Sequence, residues 1–245
     1  MRLATVLVGT SGYSYRSWEG VLYPPNLRAD ERLAHYSQCF QTVELNVTFY
    51  RLPRESTFSR WYRTVPPHFA FALKGSRTIT HYRRLREVEE EVRHFFRRAR
   101  VLGDKLAVVL WQLPPSLRRD EELLRSFCEL LMAHCPVRCA FEFRHSSWLV
   151  PEVFDLLREY NHALCVADGP RFPRTEQITA DFAYLRLHGP ERMYASSYND
   201  EQLLRWADRI MAWKAAGLDV YVYFNNDAQG HAVRNARSLL RMLSA

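Results

Sequence analysis

The chain has 245 residues, 47% hydrophobic and 25% charged, enough to bury one large α/β core or two smaller ones and unlike a disordered polymer. No apolar run reaches the length of a membrane span, and the first apolar stretch lacks a small-residue cleavage site, so a cytoplasmic protein with no membrane segment is expected. The formal net charge is +7, and it is carried by arginine: Lys74, Lys105 and Lys214 are the only lysines. Such a balance fits a surface that attracts nucleic acid or another polyanion, or solvated helix faces that simply favour arginine. In the densest cluster, Arg77 to Arg100, Glu87, Glu89, Glu90 and Glu91 stand among the arginines, which favours the second. Cys39, Cys128, Cys135, Cys139 and Cys165 form no CxxC pair and are expected to be reduced thiols without structural zinc.

In chain order, Leu3–Thr10 is an apolar run closed by a Gly-Thr-Ser-Gly turn and predicts the first strand. Residues Gly12–Asn26 form an aromatic loop, and Leu27–Phe40 has helical spacing. Thr42–Thr48 alternates Val43, Leu45 and Val47 with Glu44, Asn46 and Thr48, a period of two that predicts strand two with its polar side chains inward. A helix over Arg54–Thr64, strand three at Phe69–Lys74 and an amphipathic helix over Arg84–Leu102 follow, the last ended by Gly103. Strand four is Lys105–Gln112, and a helix over Asp120–His134 has Asp120 as its N-cap. Strand five, Arg138–Arg144, leads to a helix at Val150–Tyr160, strand six at Ala163–Asp168, and a loop with little helix over Gly169–Ala180. Strand seven is Asp181–His188, then a helix Asn199–Ala216, strand eight Leu218–Asn226 and a final helix Ala228–Ser244. Eight strands alternating with helices or crossovers, in about 250 residues without a linker, predict a single (β/α)8 TIM-like barrel spanning 1–245, with parallel strands and aromatic loops at its C-terminal face.

Alternation also assigns each strand an inner face. Glu44 and Asn46, Lys74, Glu142 and Arg144, Arg186 and His188, and Tyr223 and Asn225 then face inward, while strand four ends in Gln112 and strand six in Asp168, so nearly every strand delivers a polar group at its carboxyl end, where barrel enzymes keep their chemistry. A single ion pair, such as Glu142 with Arg186, would be ordinary structure. Three acids and three cations with a histidine beside them exceed that, because each buried charge costs several kcal/mol unless paired.

The stretches GTSGYSYRSWEGVLYPP, VELNVTFYRLP, LWQLPPS, FEFRHSSW, LRLHG and VYVYFNNDAQGHAVRNA, in order from Val8 to Ala236, resemble the YecE-like domain-of-unknown-function family 72. The family is similar to TIM barrels, which agrees with the strand count. It implies no activity, but its defining positions add Ser11, His81, His145 and Asn226 to the candidate site.

Lys74, Arg144 and Arg186 with His188 suit a small anionic ligand, a carboxylate or a phosphorylated compound. Glu44, Lys74, Glu142, Asp168 and His188 are the acid/base candidates of an enzyme at that site. Ser11, Asn46, Tyr50, His81, Gln112, Arg144, His145, Trp148, Arg186, Tyr223, Asn225 and Asn226 are the substrate-binding candidates. Tyr50 and Trp148 could equally pack loops onto the rim. No cofactor is predicted; one divalent cation on the acids and His188 is compatible, whereas a dense metal cluster is not, given the cations among them. Two other classes fit the same residues: a nucleic-acid-processing, endonuclease-like barrel using loop aromatics, and a non-catalytic ligand-binding protein.

Overall fold

Period-two alternation gives every strand a face for the barrel axis and a face for the helices. The computed structural model, which describes residues 3–244, closes these strands into an eight-stranded parallel barrel in chain order, with β8 pairing back onto β1. The strands are β1 Val6–Ser11, β2 Thr42–Leu45, β3 Ala70–Lys74, β4 Leu106–Gln112, β5 Arg138–Glu142, β6 Ala163–Asp168, β7 Phe182–Leu187 and β8 Asp219–Phe224. Between them run α1 Arg32–Cys39, the one-turn α2 Val47–Tyr50, α3 Glu55–Thr64, α4 Glu89–Ala99, α5 Glu121–His134, α6 Pro151–Glu159, α7 Asp200–Ala215 and α8 His231–Ser244. The β6–β7 connection has no helix among the described residues. No helix among them is long and apolar enough to cross a membrane.

The side chains sort into two cores. Outside the sheet, Trp111 of β4 is fully buried, its ring 5.7 Å from Phe95, 6.2 Å from Phe96 and 5.2 Å from Phe127, so α4 and α5 are fixed to β4 by aromatic packing. Inside, Ala72, Leu110, Ala140, Cys165, Phe182, Tyr184 and Tyr223 fill the barrel axis. Small residues on β3, β5 and β6 leave room for the tyrosines of β7 and β8. Asp120 caps α5, accepting from the Leu123 amide at 3.0 Å, and Asn199 starts α7 with a reciprocal capping box.

Strand two is shorter than its alternation predicts. Asn46 takes helical angles (φ −80°, ψ −15°) and opens α2, so Val47 lies 47% exposed instead of facing the helix layer. The helix expected from Arg84 begins only at Glu89. Arg84, Leu85 and Glu87 adopt left-handed backbone, and Leu85 and Val88 are apolar because they are buried, not because they extend a helical stripe. The helix expected over Leu27–Phe40 begins at Arg32, after Asn26 turns the chain at φ 65°.

Two glycines set close approaches near the carboxyl ends of the strands. A Cβ on Gly9 would stand 2.2 Å from the Thr42 carbonyl oxygen, and one on Gly75 would stand 2.2 Å from the Trp111 ring. Gly75 immediately follows Lys74, so it lets the indole pack beneath the strand end that carries that lysine. We predict that Gly75→Ala lowers stability by about 1–3 kcal/mol through overpacking, measured by urea denaturation; an unchanged midpoint would show that Trp111 can move aside freely.

Candidate functional site

Glu44, the last inward residue of β2, is the first member of a chain of buried charges. Ser11 donates to its Oε1 at 2.7 Å, the Tyr184 hydroxyl to Oε2 at 2.7 Å, and Arg186 Nη2 to Oε1 at 2.6 Å. Arg186 reaches the other way through Nη1 to Glu142 Oε2, also at 2.6 Å, and Glu142 Oε1 is paired with Arg144 Nη2. Strands β2, β5 and β7 are thereby joined across the axis. The side chains of Glu44 and Glu142 are 0% exposed and that of Arg186 is 1% exposed, so solvent screens these pairs little.

His188, one residue past β7, completes this cluster. Its Nε2 lies 3.2 Å from Arg186 Nη1 and 3.3 Å from Arg144 Nη2. A nitrogen facing two guanidinium donors must accept, so the imidazole is neutral and carries its proton on Nδ1. Phe172, from the β6–β7 loop, closes over the group: the Arg144 guanidinium stacks 3.5 Å above its ring, and His188 meets it edge-on. With both Nη atoms on carboxylates, Arg186 is bound inside the network, and an incoming anion would have to compete with Glu44 and Glu142 for it.

Lys74 stands apart. It is buried at the end of β3 with its Nζ 4.2 Å over the Phe49 ring, and it has no ion pair or side-chain hydrogen bond among the described residues. His81 packs edge-to-face on the same Phe49. Gln112 ends β4 in register with Glu142. Asn46 is half-buried, its Oδ1 without a partner, and Arg144 Nε is likewise buried and unpartnered.

Several expected site residues lie elsewhere. Asp168 follows the outward phase of Leu164 and Val166; it accepts from Tyr198 at 2.8 Å and pairs with Arg174 at 3.6 Å. It lines a separate cavity of about 650 Å³ between the β6–β7 loop and α7. Trp148 is fully buried, stacked on Phe143 and bonded to the Leu117 carbonyl, so it packs the rim and presents no platform. Tyr223 lies deep in the barrel against Thr42, Asn226 braces the Ser196 carbonyl and Asn235, and His145 caps a short turn through Ser147. Asn225 is nearly buried beside β7, bonded through its amide to the Leu187 carbonyl, and Tyr50 lies exposed on α2. Among the described residues, no three His, Cys, Asp or Glu side chains converge as metal ligands do.

A family model for a protein of unknown function, DUF72, matches residues 7–245. The chain belongs to the DUF72 family. It is similar to UPF0759 protein YunF of Bacillus subtilis strain 168, 26% identical over 91% of this chain and 90% of that one. Over 34% of its length it is also 33% identical to UPF0759 protein YecE of Escherichia coli K12, covering 30% of that protein. Among solved structures, a DUF72 family protein of Thermotoga maritima superposes with a TM-score of 0.89 at 31% identity, over 98% of this chain and 100% of that one. A DUF72 family protein of Enterococcus faecalis shares the fold, with a TM-score of 0.85 at 19% identity over 98% of this chain and 96% of that one.

The electrostatics of this DUF72 mouth separate locked groups from poised ones. Burial would raise the Glu142 carboxyl, but Arg144 and Arg186 outweigh it and hold Glu142 well below the usual carboxylate range. Burial, then Arg186, pushes His188 down. Burial, reinforced by Arg186, brings the Lys74 ammonium down to about 8, and burial with Lys74 and Arg144 brings His81 to about 4. Asp227, after β8, was not among the candidates. Burial raises it to about 7 against the opposing pull of Tyr15 and Arg186, and its Oδ1 has no hydrogen bond. The signal for it in the sequence is an acid directly after Asn225 and Asn226, but strand alternation ends at Phe224 and assigns it no direction.

Two opposite stability effects follow. Glu142→Gln removes the countercharge of two buried guanidiniums and should cost about 3–5 kcal/mol. Lys74→Met removes an unpaired buried cation and should stabilise by about 0.5–2 kcal/mol at pH 7. The folded value of Lys74, about 8, lies below its ordinary 10.5, so the unfolded chain binds the extra proton between those values. Wild-type stability should therefore rise, and its deficit against Lys74→Met should shrink, from pH 8 towards 10.5. Urea titrations of both proteins at pH 7 and pH 10 test this; a constant difference would mean that Lys74 ionises as in water.

Proposed function

We propose that this DUF72 barrel is an enzyme that binds a small carboxylate or phosphate at Lys74 and moves protons there by acid/base chemistry. The observation that carries this reading is the Lys74 ammonium, buried at a strand's carboxyl end with no ion-pair partner while the Arg144 and Arg186 guanidiniums have theirs. An anionic ligand supplies the missing charge. Arg144 Nε, buried and unpartnered, is the further donor available to it.

In this scheme Glu44 and Glu142 are positioning residues that hold Arg186 and Arg144. Protons are carried by the two groups placed near neutrality, Lys74 at about 8 and Asp227 at about 7. Neutral His81, beside Phe49, is a hydrogen-bond partner for the ligand.

A second reading is favoured by one rim feature. The Arg77 guanidinium lies 5.7 Å from the ring of exposed Tyr50 and 5.4 Å from that of exposed Tyr82, a stacking surface suited to a nucleic acid base. Oligonucleotide binding that falls steeply with salt would support it over the metabolite site.

The primary test is thermal melting of the wild type and Lys74→Met with inorganic phosphate and a panel of small carboxylates. At least one anion should stabilise the wild type near pH 7 and lose its effect as pH rises through about 8. Lys74→Met should melt higher without ligand and bind the anion about 1.5–3 kcal/mol more weakly. If no anion stabilises the wild type, or if the variant responds equally, Lys74 is not the anion anchor.

A further inference from the structure

The chain's lysines provide an internal comparison. Lys105 is also buried, and it shows how this fold accommodates a structural ammonium: its Nζ donates to the Tyr62 carbonyl at 2.6 Å and to the Val65 carbonyl at 2.7 Å, with the Tyr62 ring 4.3 Å away. Lys214 is exposed on α7. Lys74, 9% exposed, has no such carbonyls. Its Nζ has an aromatic face on one side, and its inward phase, shared with Ala72, aims it at the mouth of the barrel.

An amine that is largely desolvated, flanked by other cations and hydrogen-bonded to no carbonyl is the arrangement that makes lysine a nucleophile. We propose that Lys74 condenses, as the free amine, with the carbonyl group of a small oxo acid to form an imine at the end of β3. This rests on the anion reading above, since Arg144 must also hold the carboxylate beside the reacting amine, and it narrows the substrate class to anionic carbonyl compounds.

The step balances without an oxidant or reductant. The nitrogen lone pair forms a C–N bond to the carbonyl carbon, and the C=O pair moves to oxygen, which takes the proton lost by nitrogen. A second proton, from solvent, carries that oxygen away as water, leaving a protonated imine and one molecule of water. The positive charge thus stays on the nitrogen, close to the Glu44–Arg186–Glu142–Arg144 network, and the ligand's carboxylate balances it. Burial and the Arg186 charge bring Lys74 to about 8, so a useful fraction is unprotonated near pH 7.5. Neutral His81, packed on the Phe49 ring that also lies under Nζ, is placed to accept a proton during addition.

The test is reductive trapping. The full-length wild type, Lys74→Arg and Lys74→Met are treated with sodium cyanoborohydride and either pyruvate or acetone, with and without inorganic phosphate. Adducts are mapped by peptide mass spectrometry, and melting is followed in parallel. Expected is an adduct of pyruvate at Lys74 that forms roughly tenfold or more faster than at exposed Lys214 at pH 7.5, rises in rate through about pH 8, and is slowed by phosphate. Lys105, saturated by carbonyls, should stay unlabelled, and Lys74→Arg should bind phosphate without forming an adduct at that position. Absence of a Lys74 adduct in wild type that phosphate still stabilises overturns the imine and leaves the anion site standing. Equal labelling of Lys74 by pyruvate and acetone, with no phosphate effect, upholds the imine and overturns the anionic substrate.

Discussion

The interior of this barrel is organised by one arginine shared between two carboxylates. Arg186, from β7, bonds Glu44 of β2 and Glu142 of β5 at 2.6 Å each, with all three side chains essentially removed from water. Deleting one partner would leave an uncompensated charge in low dielectric, so the three positions depend on one another. The same contacts fix where everything else at the mouth can stand. Arg144 is held by Glu142, His188 is forced into its neutral form by the two guanidiniums, and Ser11 and Tyr184 complete the shell of Glu44. Apolar packing alone would tolerate sliding of one strand against another. A bidentate bridge across the axis does not.

Because the network is nearly complete, its remaining charge is informative. Three acids and three cations meet at the mouth: Glu44 and Glu142 are used by the arginines, and burial raises Asp227 to about 7. Lys74 is left with Phe49 beneath it and a proton affinity lowered by burial. Nothing in protein stability favours such a residue, and Lys105, buried against two carbonyls, shows that the fold readily satisfies an ammonium where structure is all that is required. Destabilising groups retained at the carboxyl end of barrel strands are where function is to be sought.

Most of this was legible in the sequence, for a simple reason: alternation survives as far as the strand does. Glu44, Lys74, Glu142, Arg186 and Tyr223 all lie on the inner face that alternation assigns them, and the family resemblance and barrel fold stand. Where the backbone leaves the strand, the rule loses its hold. Asn46 belongs to a helical turn, and Asp227 sits beyond β8 with its direction set by a loop. Asp168 enters the candidate site only as the last residue of its strand, and its phase with Leu164 and Val166 points it to Tyr198 and Arg174. Trp148 shows the other limit, since an aromatic residue in a loop looks the same in sequence whether it stacks on a ligand or on Phe143. The arginine cluster is partly neutralised, as the interleaved acids suggested: Arg83 pairs with Glu91, Arg86 with Asp120 and Arg93 with Glu89.

The two ends of the barrel use the same residue types to different effect. At the amino end, Arg138 pairs with Asp219 at 2.7 Å and lies 3.5 Å from Asp181, while Thr5 donates twice to Asp219. Arg138 there faces two acids and Lys105, just before β4, two carbonyls, as expected where strand ends serve stability. At the carboxyl end the positions flanking Lys74 break that rule. The register Leu45↔Leu73 carries Asn46 alongside Lys74, and the pairing of Lys74 with Leu110 places Gln112 on its other side. Both neighbours are amides. They offer hydrogen bonds without the negative charge that an acid in either place would supply. The amine between these two amides is thus left without an ion-pair partner, in contrast to the guanidiniums of Arg144 and Arg186 beside it.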